Sequence, residues 1–594
     1  MGPSDIVGID IGTCTMEACL WREGGLTQVP LNNQYFTYPS CMYVGKEGIY
    51  TGSVAMVKSR NRPHQLISHA KRLIGMRYNN PLVERDRDTW NCQIVPSVND
   101  YAKFQVTHDG IKEEFTPIDV TATILRDVHE KINAFAGHRI VSAVVSVPAT
   151  FNNDQRAATL SAARIAGFES VTLCTEPTAA AISYAYNALQ EISSLHLSGL
   201  VMVYDLGGGT FDVSILRITG KKYVIVGNHG DSHLGGEDFD RALFNYCLQE
   251  LEKRGIQELT IRQRSTLMAK CVETKQLFTQ NGYETEITLP LTVDNEETIT
   301  ITSDIISQLY SADIEHTITL MRRCLAEASL KISQIGHIIL VGGSSRLFLV
   351  EKLLREEFGI PISKGVNPDL AVSEGALLIG LSKLDSNLFE ITDCTSFNIY
   401  LQTSDTSGFV LIPKSAGLPI DIEYPFPLKK VGSRLRVGLY QGSDTYIGND
   451  ELLGYFFIEG IPELFRRHDN LNFSLKIHID EGGIVHASVV CVNEPTITNG
   501  KEMTLFSKVQ DETTICEKRK LQDIRIHRMT LQDKKECAYE FIEEIEAMKR
   551  ESDTETSEEM SLARDFLQQD DIPLLALNEM IESLREKYTL ICDE

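Results

Sequence analysis

The sequence contains the stretch IVGIDIGT at residues 6–13 and a related stretch, VMVYDLGGGT, at residues 201–210. Each is an apolar, strand-like run that reaches an aspartate and then turns through glycine and threonine. Glycine lets the main chain approach an anion, so backbone N–H groups, a hydroxyl and a carboxylate meet at one point. For either stretch alone a plain β-hairpin is the alternative. Two copies in one chain predict a duplicated, two-lobed unit that holds phosphate groups and magnesium.

The pattern around these stretches changes twice along the chain. Up to about Lys383, strand-like runs alternate with helical stretches, which is typical of α/β layers. From about Ser396, apolar residues alternate with period two, as at Leu435, Val437 and Leu439, and this favours a β-sandwich. Beyond about Thr513 a charged helical pattern takes over. We therefore expect an α/β domain at 1–384, a linker at 385–394, a sandwich at 395–512 and a helical segment at 513–594.

Composition excludes several classes of protein. The 594 residues exceed what one core normally organises, and 42% hydrophobic with 23% charged residues is a globular balance. A net charge of -25 argues against binding nucleic acid or anionic membranes. The 13 cysteines include no Cys-x-x-Cys pair, so we expect reduced, mostly buried thiols. Neither an export signal nor a membrane-spanning run is recognised, so we expect a cytoplasmic protein with possible access to the nucleus.

A third glycine turn, IILVGGSSR, occupies residues 338–346. It follows an apolar strand and leads into a helical pattern, so the planar guanidinium of Arg346 could lie against a base. Strand-to-helix turns often contain glycine, which makes this turn weak support on its own. Together with the two aspartate turns it supplies the nucleoside end of a nucleotide site, and no Walker-type phosphate loop is present to compete.

At these motifs the sequence resembles the DnaK-type, or 70-kilodalton heat-shock, chaperone family from Ile6 to about Phe506. The motifs that carry the resemblance are GIDIGT, HAKRLIG, VSVPATFNN, TEPTAAAISYAY, DLGGGTFDVS, HLGGEDFDRALF, LVGGSSR and NPDLAVSEGA. The resemblance implies a multidomain protein with an actin-like α/β two-lobed ATPase domain, a β-sandwich substrate-binding domain and a short α-helical lid. It also implies ATP and Mg²⁺ as cofactors.

The resemblance transfers roles position by position. The catalytic group comprises Lys71, Glu176, Asp205, Asp10 and Thr210, with Asp212 beside them, and Asp10 and Asp205 would hold the metal. Lys71 would hold the attacking water and the γ-phosphate, while Glu176 and Pro148 would report the nucleotide state to the next domain. Read alone, Lys71 is an ordinary solvated lysine and Glu176 a helix-start acid. The remaining nucleotide-binding positions are Gly12, Thr13, Cys14, Gly207, Gly208, Gly209, Gly235, Gly236, Glu237, Lys275, Thr279, Gly342, Gly343, Ser344, Arg346 and Asp369.

The adenosine end departs from the family. Its helix normally presents Glu, Lys, Arg and Ser on one face, and the corresponding positions here are Val272, Lys275, Gln276 and Thr279. Loss of a stacked arginine removes about 0.5–2 kcal/mol, and loss of a charged hydrogen bond about 1.5–3 kcal/mol. We therefore expect ATP affinity about ten to several thousand fold below that of the family.

Two departures concern communication with partners. Thr172 stands where the family places an arginine that docks J-domain cochaperones, and the apolar interdomain linker is reduced to DSNLFE at residues 385–390. We expect weak stimulation of ATP turnover by J-domain proteins, which a generic J-domain added to a turnover assay would test. The helical end is shorter than the family lid, and the family's acidic tail motif is absent.

The resemblance also implies a peptide cleft in the sandwich, lined by Ile399, Phe426, Leu435 and Val437. The alternative is that these side chains simply form the sandwich core. Their ligands would be unfolded or extended polypeptides, with J-domain proteins and nucleotide exchange factors as further partners.

Three functions remain open at this stage. The first is an ATP-dependent chaperone that binds exposed apolar segments, with ATP hydrolysis controlling their release. The second is a non-cycling ATP-binding holdase or nucleotide-exchange partner of another chaperone. The third is a small-molecule kinase on the same nucleotide fold, which would not account for the region after Ser396.

Overall fold

The computed structural model describes residues 5–493, with Gly2 and the short pieces 503–504, 514–515, 518, 562–564 and 566–567. Within 5–493 the description omits residues 33–34, 47, 61, 88–89, 192–197, 281, 292–295, 364–366, 385–389, 404–406, 429–433, 444–446, 448–449 and 460–470. Most of the expected helical segment 513–594 and the first half of the expected linker therefore lie outside the described residues.

The first lobe is built on a six-stranded mixed sheet in the order β12-β11-β1-β2-β3, with β4 on β2. Its strands are β1 (Ile6–Ile11), β2 (Thr15–Arg22), β3 (Gly25–Gln28), β4 (Tyr38–Pro39), β5 (Cys41–Gly45), β6 (Gly48–Thr51), β7 (Leu66–Ser68), β8 (Gln93–Pro96), β9 (Ala102–His108), β10 (Ile111–Phe115), β11 (Ser142–Val147) and β12 (Ser170–Thr175). Its helices are α1 (Gly52–Ser59), α2 (Pro81–Asp86), α3 (Pro117–Ala136), α4 (Asn153–Ile165) and α5 (Glu176–Glu191). Strands β5–β7 and β8–β10 form two small three-stranded sheets.

The second lobe repeats the plan, with a six-stranded sheet in the order β19-β18-β13-β14-β15-β20. Its strands are β13 (Ser198–Leu206), β14 (Phe211–Thr219), β15 (Lys222–Asp231), β16 (Glu284–Pro290), β17 (Glu296–Thr302), β18 (Ile335–Val341), β19 (Ile362–Ser363) and β20 (Glu390–Thr392). Its helices are α6 (Gly236–Lys253), α7 (Ile261–Leu277), α8 (Ser303–Glu327), α9 (Phe348–Phe358) and α10 (Ala371–Leu384). In both lobes the first strand runs antiparallel to the second and parallel to a later one, as duplication predicts.

Helix starts follow the local sequence. Thr116 caps α3 through a reciprocal hydrogen-bond box with Asp119, and Asn152 caps α4 in the same way with Gln155. Helix α3 ends at Gly137, whose φ of 80° is the left-handed conformation that glycine adopts without strain. Helix α4 therefore begins directly after its cap, at Asn153, and ends at Ile165.

Helices α5 and α10 pack against each other between the two large sheets. They share a buried apolar cluster with strands of both lobes, including Ile6, Val203 and Leu377. Their backbones come so close that a Cβ on Gly375 would lie 1.7 Å from the carbonyl oxygen of Ala179. This crossing is the structural connection between the two lobes.

After residue 395 the chain forms two four-stranded antiparallel sheets around one apolar core. One has the order β22-β21-β24-β25 and the other β23-β26-β27-β28. The strands are β21 (Asn398–Gln402), β22 (Gly408–Ile412), β23 (Ile420–Leu428), β24 (Arg434–Gly442), β25 (Glu451–Glu459), β26 (Leu471–Ile479), β27 (Val485–Cys491) and β28 (Met503–Thr504). The alternating residues Leu435–Leu439 lie in β24, as the period-two pattern predicts.

Two further expectations concern cysteines and membranes. Every cysteine among the described residues is a free thiol, and all but Cys14 are buried. Of the helices in the described ranges, none is both long and apolar enough to cross a bilayer.

We expect Gly375→Ala to destabilise the α5–α10 crossing, because the new methyl group overlaps the Ala179 carbonyl and overpacking costs about 1–3 kcal/mol or more. Scanning calorimetry of the full chain should show a lower first melting transition. The matched control is Gly336→Ala on β18, where the nearest atom to a new Cβ is 3.5 Å away. Equal melting temperatures for Gly375→Ala and the unsubstituted protein would contradict the close approach.

Candidate nucleotide site

The two hairpins predicted from the aspartate–glycine–threonine turns face each other between the lobes. A Cβ on Gly208 would lie 2.4 Å from Cys14 Sγ, and one on Gly209 would lie 2.7 Å from the Thr13 side chain. Because only glycine permits these contacts, the tips of the β1–β2 and β13–β14 hairpins touch. The sequence pattern and the tertiary arrangement therefore converge on one point.

The start of α6 supports the second hairpin. The N–H groups of Gly236 and Glu237 donate to the carbonyl oxygens of Gly207 and Gly208, at 2.9 and 2.8 Å. A Cβ on Gly235 would lie 2.5 Å from the Gly209 nitrogen. The HLGGEDF motif thus fixes the hairpin by close backbone packing.

Acidic side chains converge behind the hairpin tips. Asp10, the last residue but one of β1, accepts a 2.6 Å hydrogen bond from the Ser146 hydroxyl. Lys71 lies in a short turn, Ala70–Arg72, and forms a buried ion pair with Glu176, the first residue of α5. Asp205 and Thr210 are also buried, at the end of β13 and in the turn that follows. All five predicted catalytic positions are therefore in the same part of the fold.

Asp212 on β14 completes this group. Its Oδ1 accepts from the backbone N–H and the hydroxyl of Thr150, at 3.3 and 3.4 Å. Its Oδ2 is buried without a hydrogen-bond partner. Glu17, which the motifs did not single out, pairs directly opposite Asp10 in the β1–β2 register and also has a buried, unpartnered oxygen. The antiparallel hairpin itself was the signal that could have identified Glu17.

Burial dominates the electrostatics of these carboxyl groups. It raises the pKa of Asp10, against the lowering effects of Lys71 and Ser146. It raises the pKa of Glu176 to about 8, although the Lys71 ammonium opposes this, and the pKa of Asp212 to about 6. Burial, followed by repulsion from Glu176 and Asp212, raises the pKa of Asp205 well above its usual range.

Lys71 shows the opposite balance. Burial acts to lower the pKa of its ammonium, but the carboxylates of Glu176 and Asp10 outweigh burial and raise that pKa. One ammonium thus stands among more buried carboxylates than it can neutralise. A magnesium ion fits this surplus because Mg²⁺ selects oxygen ligands and takes few from protein. Asp10 and Asp205 are the side chains that would hold it.

The third glycine turn lies beside the same cleft. Gly342 has a φ of 78°, and a Cβ there would lie 2.4 Å from the Leu206 carbonyl oxygen, so the turn packs on the end of β13. A Cβ on Gly343 would lie 3.6 Å from Asp369 Oδ1, an ordinary contact. Arg346 is half-exposed and pairs with Asp369 at 2.8 Å. Ser344 lies against the start of α6, since a Cβ on Gly236 would be 2.4 Å from its hydroxyl.

The α7 residues of the adenosine end are arranged differently from the expectation. Lys275 donates to the Gly236 carbonyl and to Asp240, both at 2.8 Å. Gln276 is exposed and Val272 half-buried. Helix α7 ends at Leu277, so Thr279 is not on the helical face where the motif predicted it. The reason is that Phe278 leaves helical geometry, with φ of -83° and ψ of 58°, and buries its ring in the second lobe.

The cavity between the hairpins measures about 90 Å³ and is lined by Asp10, Thr13, Lys71, Glu176, Asp205, Gly343 and their neighbours. Ligand sites usually enclose roughly 300–1,000 Å³, so this cavity is smaller than a typical ligand site. A larger cavity of about 490 Å³ lies between α1 and α3, lined by Tyr38, Tyr50 and Asp127 among others. The described residues that line the larger cavity include neither a glycine turn nor a buried carboxylate group.

The proposed peptide-binding residues lie in the sandwich. Ile399 and Val437 are buried in its core, at 2% and 5% exposure. Phe426 is half-buried and stacks on Phe473, with ring centroids 5.4 Å apart. The side chain of Leu435 is outside the described residues. Contact of Ile399 or Val437 with a peptide would therefore require the sandwich to open.

We expect Asp212→Asn to raise the melting temperature of the ligand-free chain at pH 7. The carboxyl has a pKa of about 6 in the fold against an ordinary 3.8, so its stability contribution is full below pH 4 and is lost as pH rises toward 6. The loss is about 3 kcal/mol at 1.36 kcal/mol per pKa unit. Calorimetry from pH 4 to 7 with EDTA should show a flatter profile for the variant.

The exposed Asp109→Asn is the matched control and should leave the profile unchanged. A pH profile for Asp212→Asn that parallels the unsubstituted protein would contradict the burial cost.

The glycine hairpins, the buried acidic group and the sandwich together describe a two-lobed unit joined to a separate β domain. A family model described as Hsp70 protein matches residues 6–590. Proteins of that family combine a two-lobed, actin-like ATPase with a substrate-binding domain, and they use nucleotide with Mg²⁺. The match spans nearly the whole chain, which is therefore a member of the Hsp70 family.

Proposed function

We propose that this protein is an ATP-hydrolysing chaperone in which the nucleotide cleft controls how the sandwich holds extended apolar peptide segments. Hsp70 proteins act in general as ATPases and chaperones for unfolded polypeptides, together with J-domain proteins and exchange factors. The observation that carries the proposal for this chain is a continuous set of buried and part-buried polar contacts between the acidic cleft and the sandwich.

The contacts begin at Asp212 and pass through the segment that joins β11 to α4. Thr150 donates to Asp212, and the neighbouring Ala149 carbonyl accepts from the guanidinium of Arg156 at 3.1 Å. Arg156 also donates to the Gly482 carbonyl in the turn between β26 and β27, at 2.8 Å. Its guanidinium is buried and bonded to backbone carbonyls, so displacing the sandwich would leave a buried cation short of partners.

A second pair of contacts lies beside the first. The Asn153 N–H donates to Gln441 Oε1 at 3.1 Å, and Asn153 Oδ1 accepts from the Val485 N–H at 2.9 Å. The Ser396 hydroxyl donates to the Ala149 carbonyl. The two Asn153 bonds are buried, so breaking either leaves a desolvated donor or acceptor. A movement of α4 relative to the acidic cleft would therefore disturb its hydrogen bonds to the sandwich.

The segment between the ATPase lobes and the sandwich is also engaged. Strand β20 pairs in parallel with β15 at the edge of the second-lobe sheet, from Lys222 opposite Glu390 to Val224 opposite Thr392. Asp393, directly after it, accepts hydrogen bonds from the hydroxyls of Thr175, the last residue of β12, and Thr178, in the first turn of α5. The chain leaving the lobes thus contacts the same helix that carries Glu176, which supports coupling despite the altered linker sequence.

The chemistry assigned to the cleft rests on positioning and charge. Magnesium bound at Asp10 and Asp205 would supply positive charge to the phosphate oxygens. The Lys71 ammonium, fixed by Glu176, would orient the attacking water, and Thr210 would contribute its hydroxyl. The backbone N–H groups of the glycine turns would hold the phosphates. Phosphoryl transfer needs mainly alignment and electrostatic stabilisation, which these groups supply.

The sandwich offers an apolar surface suited to extended peptides. Phe409 and Val410 on edge strand β22 are 48% and 40% exposed. The Phe409 ring lies 5.6 Å from that of Tyr424 on β23, so the apolar surface continues across the gap between the two sheets. An edge strand also presents unpaired backbone groups that an extended segment can use. Neither Phe409 nor Val410 was singled out from the sequence.

A non-cycling ATP-binding holdase or exchange partner is the second candidate. Its specific support is the adenosine end, where Lys275 is held by Asp240 and the Gly236 carbonyl while Gln276 is exposed. Those contacts would have to be replaced when a nucleoside binds. The intact Lys71–Glu176 pair favours cycling instead.

We expect single-turnover ATP hydrolysis that an unfolded peptide accelerates and that Lys71→Met reduces by about 10²–10⁴-fold. Removing the ammonium leaves Glu176 unpaired and the attacking water without its donor. The control Lys112→Met changes an exposed lysine on β10 and should have no effect. Binding of ATP without hydrolysis, or hydrolysis indifferent to both peptide and Lys71→Met, would favour the non-cycling holdase.

We expect Asn153→Ala to abolish the acceleration by peptide while basal hydrolysis continues. The substitution leaves the buried Val485 N–H without its acceptor, which costs about 1–3 kcal/mol and shifts the contact between sandwich and α4 roughly 5- to 150-fold toward separation. The turnover assay above measures the change. Asn472→Ala, at an exposed position on β26, is the control, and undiminished acceleration in Asn153→Ala would contradict this route of coupling.

A further inference from the structure

Three side chains with metal-ligating atoms meet at the contact between the lobes. Cys14 lies in the turn between β1 and β2, His69 precedes the Ala70–Arg72 turn, and Glu237 is in the first turn of α6. Glu237 Oε1 lies 3.4 Å from Cys14 Sγ and 3.1 Å from His69 Nε2. All three ligand atoms lie within 4.8 Å of one another, and among the described residues this is the only such group.

The surroundings aim these three atoms at one another. Arg72 Nε lies 3.3 Å from Glu237 Oε2, which leaves Oε1 directed toward Cys14 and His69. His69 adopts the left-handed conformation, with φ of 59° and ψ of 31°, which is uncommon for a residue other than glycine and often marks a functional position. Its other ring nitrogen is within 3.5 Å of the Ser68 hydroxyl, the kind of outer contact that orients a ligating histidine.

We propose that Cys14, His69 and Glu237 form a zinc site that cross-links the two lobes. Zinc bonds of about 2.0–2.3 Å in tetrahedral geometry separate ligand atoms by about 3.3–3.7 Å, and the two separations from Glu237 Oε1, 3.4 Å to Cys14 Sγ and 3.1 Å to His69 Nε2, are close to that range. A sulfur, an imidazole nitrogen and one carboxylate suit Zn²⁺, whereas magnesium selects oxygen alone. The site is therefore chemically distinct from the acidic group around Asp10 and Asp205.

Zinc binding is accompanied by the loss of one proton from the protein. The Cys14 S–H bond breaks, its proton passes to solvent, and the sulfur electron pair forms the bond to zinc. Three protein ligands leave the fourth position for water or an anionic oxygen. Because Cys14 and His69 belong to the first lobe and Glu237 to the second, the ion resists separation of the lobes. Slower nucleotide dissociation follows from this, and that consequence alone rests on the proposed ATP binding.

The primary test is a zinc titration of the nucleotide-free full chain. Cys516, Cys537 and Cys592, which lie outside the described residues, are first replaced by serine, so that Cys14 is the accessible thiol. ZnCl₂ is titrated against a chromophoric chelator. We expect one ion per chain, and affinity reduced at least about tenfold in each of Cys14→Ser, His69→Asn and Glu237→Gln. Asparagine is chosen for position 69 because it tolerates the left-handed conformation.

His64→Asn, an exposed histidine in the neighbouring Pro63–Gln65 turn, is the matched control and should bind zinc as the parent does. CoCl₂ should produce a thiolate-to-cobalt absorption band that Cys14→Ser abolishes. Absence of stoichiometric zinc, or affinity unchanged in Cys14→Ser, would overturn the site and leave only a hydrogen-bonded trio. Affinity unchanged in Glu237→Gln would overturn the cross-link, since no second-lobe ligand would remain.

Two readouts test the effect on the lobes. Zinc should raise the first melting transition of the parent and not that of Glu237→Gln, a result that does not depend on nucleotide binding. Zinc should also slow dissociation of a fluorescent ATP analogue several-fold in the parent. A dissociation rate that zinc leaves unchanged would overturn the cross-link. Failure of the analogue to bind at all would instead contradict the proposed ATP function, while the zinc titration and the melting transition still decide the site.

Discussion

The gathering of the buried carboxyl groups of Glu176, Asp205 and Asp212 and the half-buried Asp10 around a single ammonium, that of Lys71, is the constraint on which the rest of this structure depends. Carboxylates this deeply buried are costly unless a cation accompanies them, and burial accordingly raises their pKa values. The carboxyl groups are nevertheless brought together, because the ends of the central strands from both lobes converge here. A divalent cation relieves it, which links occupancy of the cleft to the stability of the closed lobes.

The same constraint extends into the β domain. Asp212 is held by Thr150, and the adjoining Ala149 carbonyl is shared by Arg156 and Ser396. Arg156 is itself a buried cation whose donors reach carbonyls in both the first lobe and the sandwich. Two buried groups of opposite charge therefore lie at the two ends of one short segment. This segment has few alternative positions of low energy, because moving it would either expose one charged group or leave the other buried without its partners.

At the cleft the two lobes contact each other through polar side chains, with Cys14 of the first lobe against Glu237 of the second, rather than through an apolar interface. Polar contacts across a cleft are readily exchanged for contacts with a ligand or ion. The α5–α10 crossing, by contrast, is apolar and tightly packed, so the lobes can separate at the cleft while remaining joined there.

The sequence alone determined the duplicated hairpins, the α/β and β regions, and the positions of Asp10, Lys71, Glu176 and Asp205, because these follow from local periodicity, glycine turns and motif resemblance. Contacts between distant segments required the tertiary structure. The Asp212–Thr150–Arg156 connection, the pairing of β20 with β15 and the meeting of Cys14, His69 and Glu237 each join residues far apart in the chain. The tertiary structure was also required to show that α7 ends before Thr279. Burial of Phe278 in the second lobe, and not helix propensity, decides where that helix stops. Local sequence specifies the elements and their turns, whereas the packing of separate elements decides which side chains share a dry, low-dielectric space and therefore what chemistry they can perform.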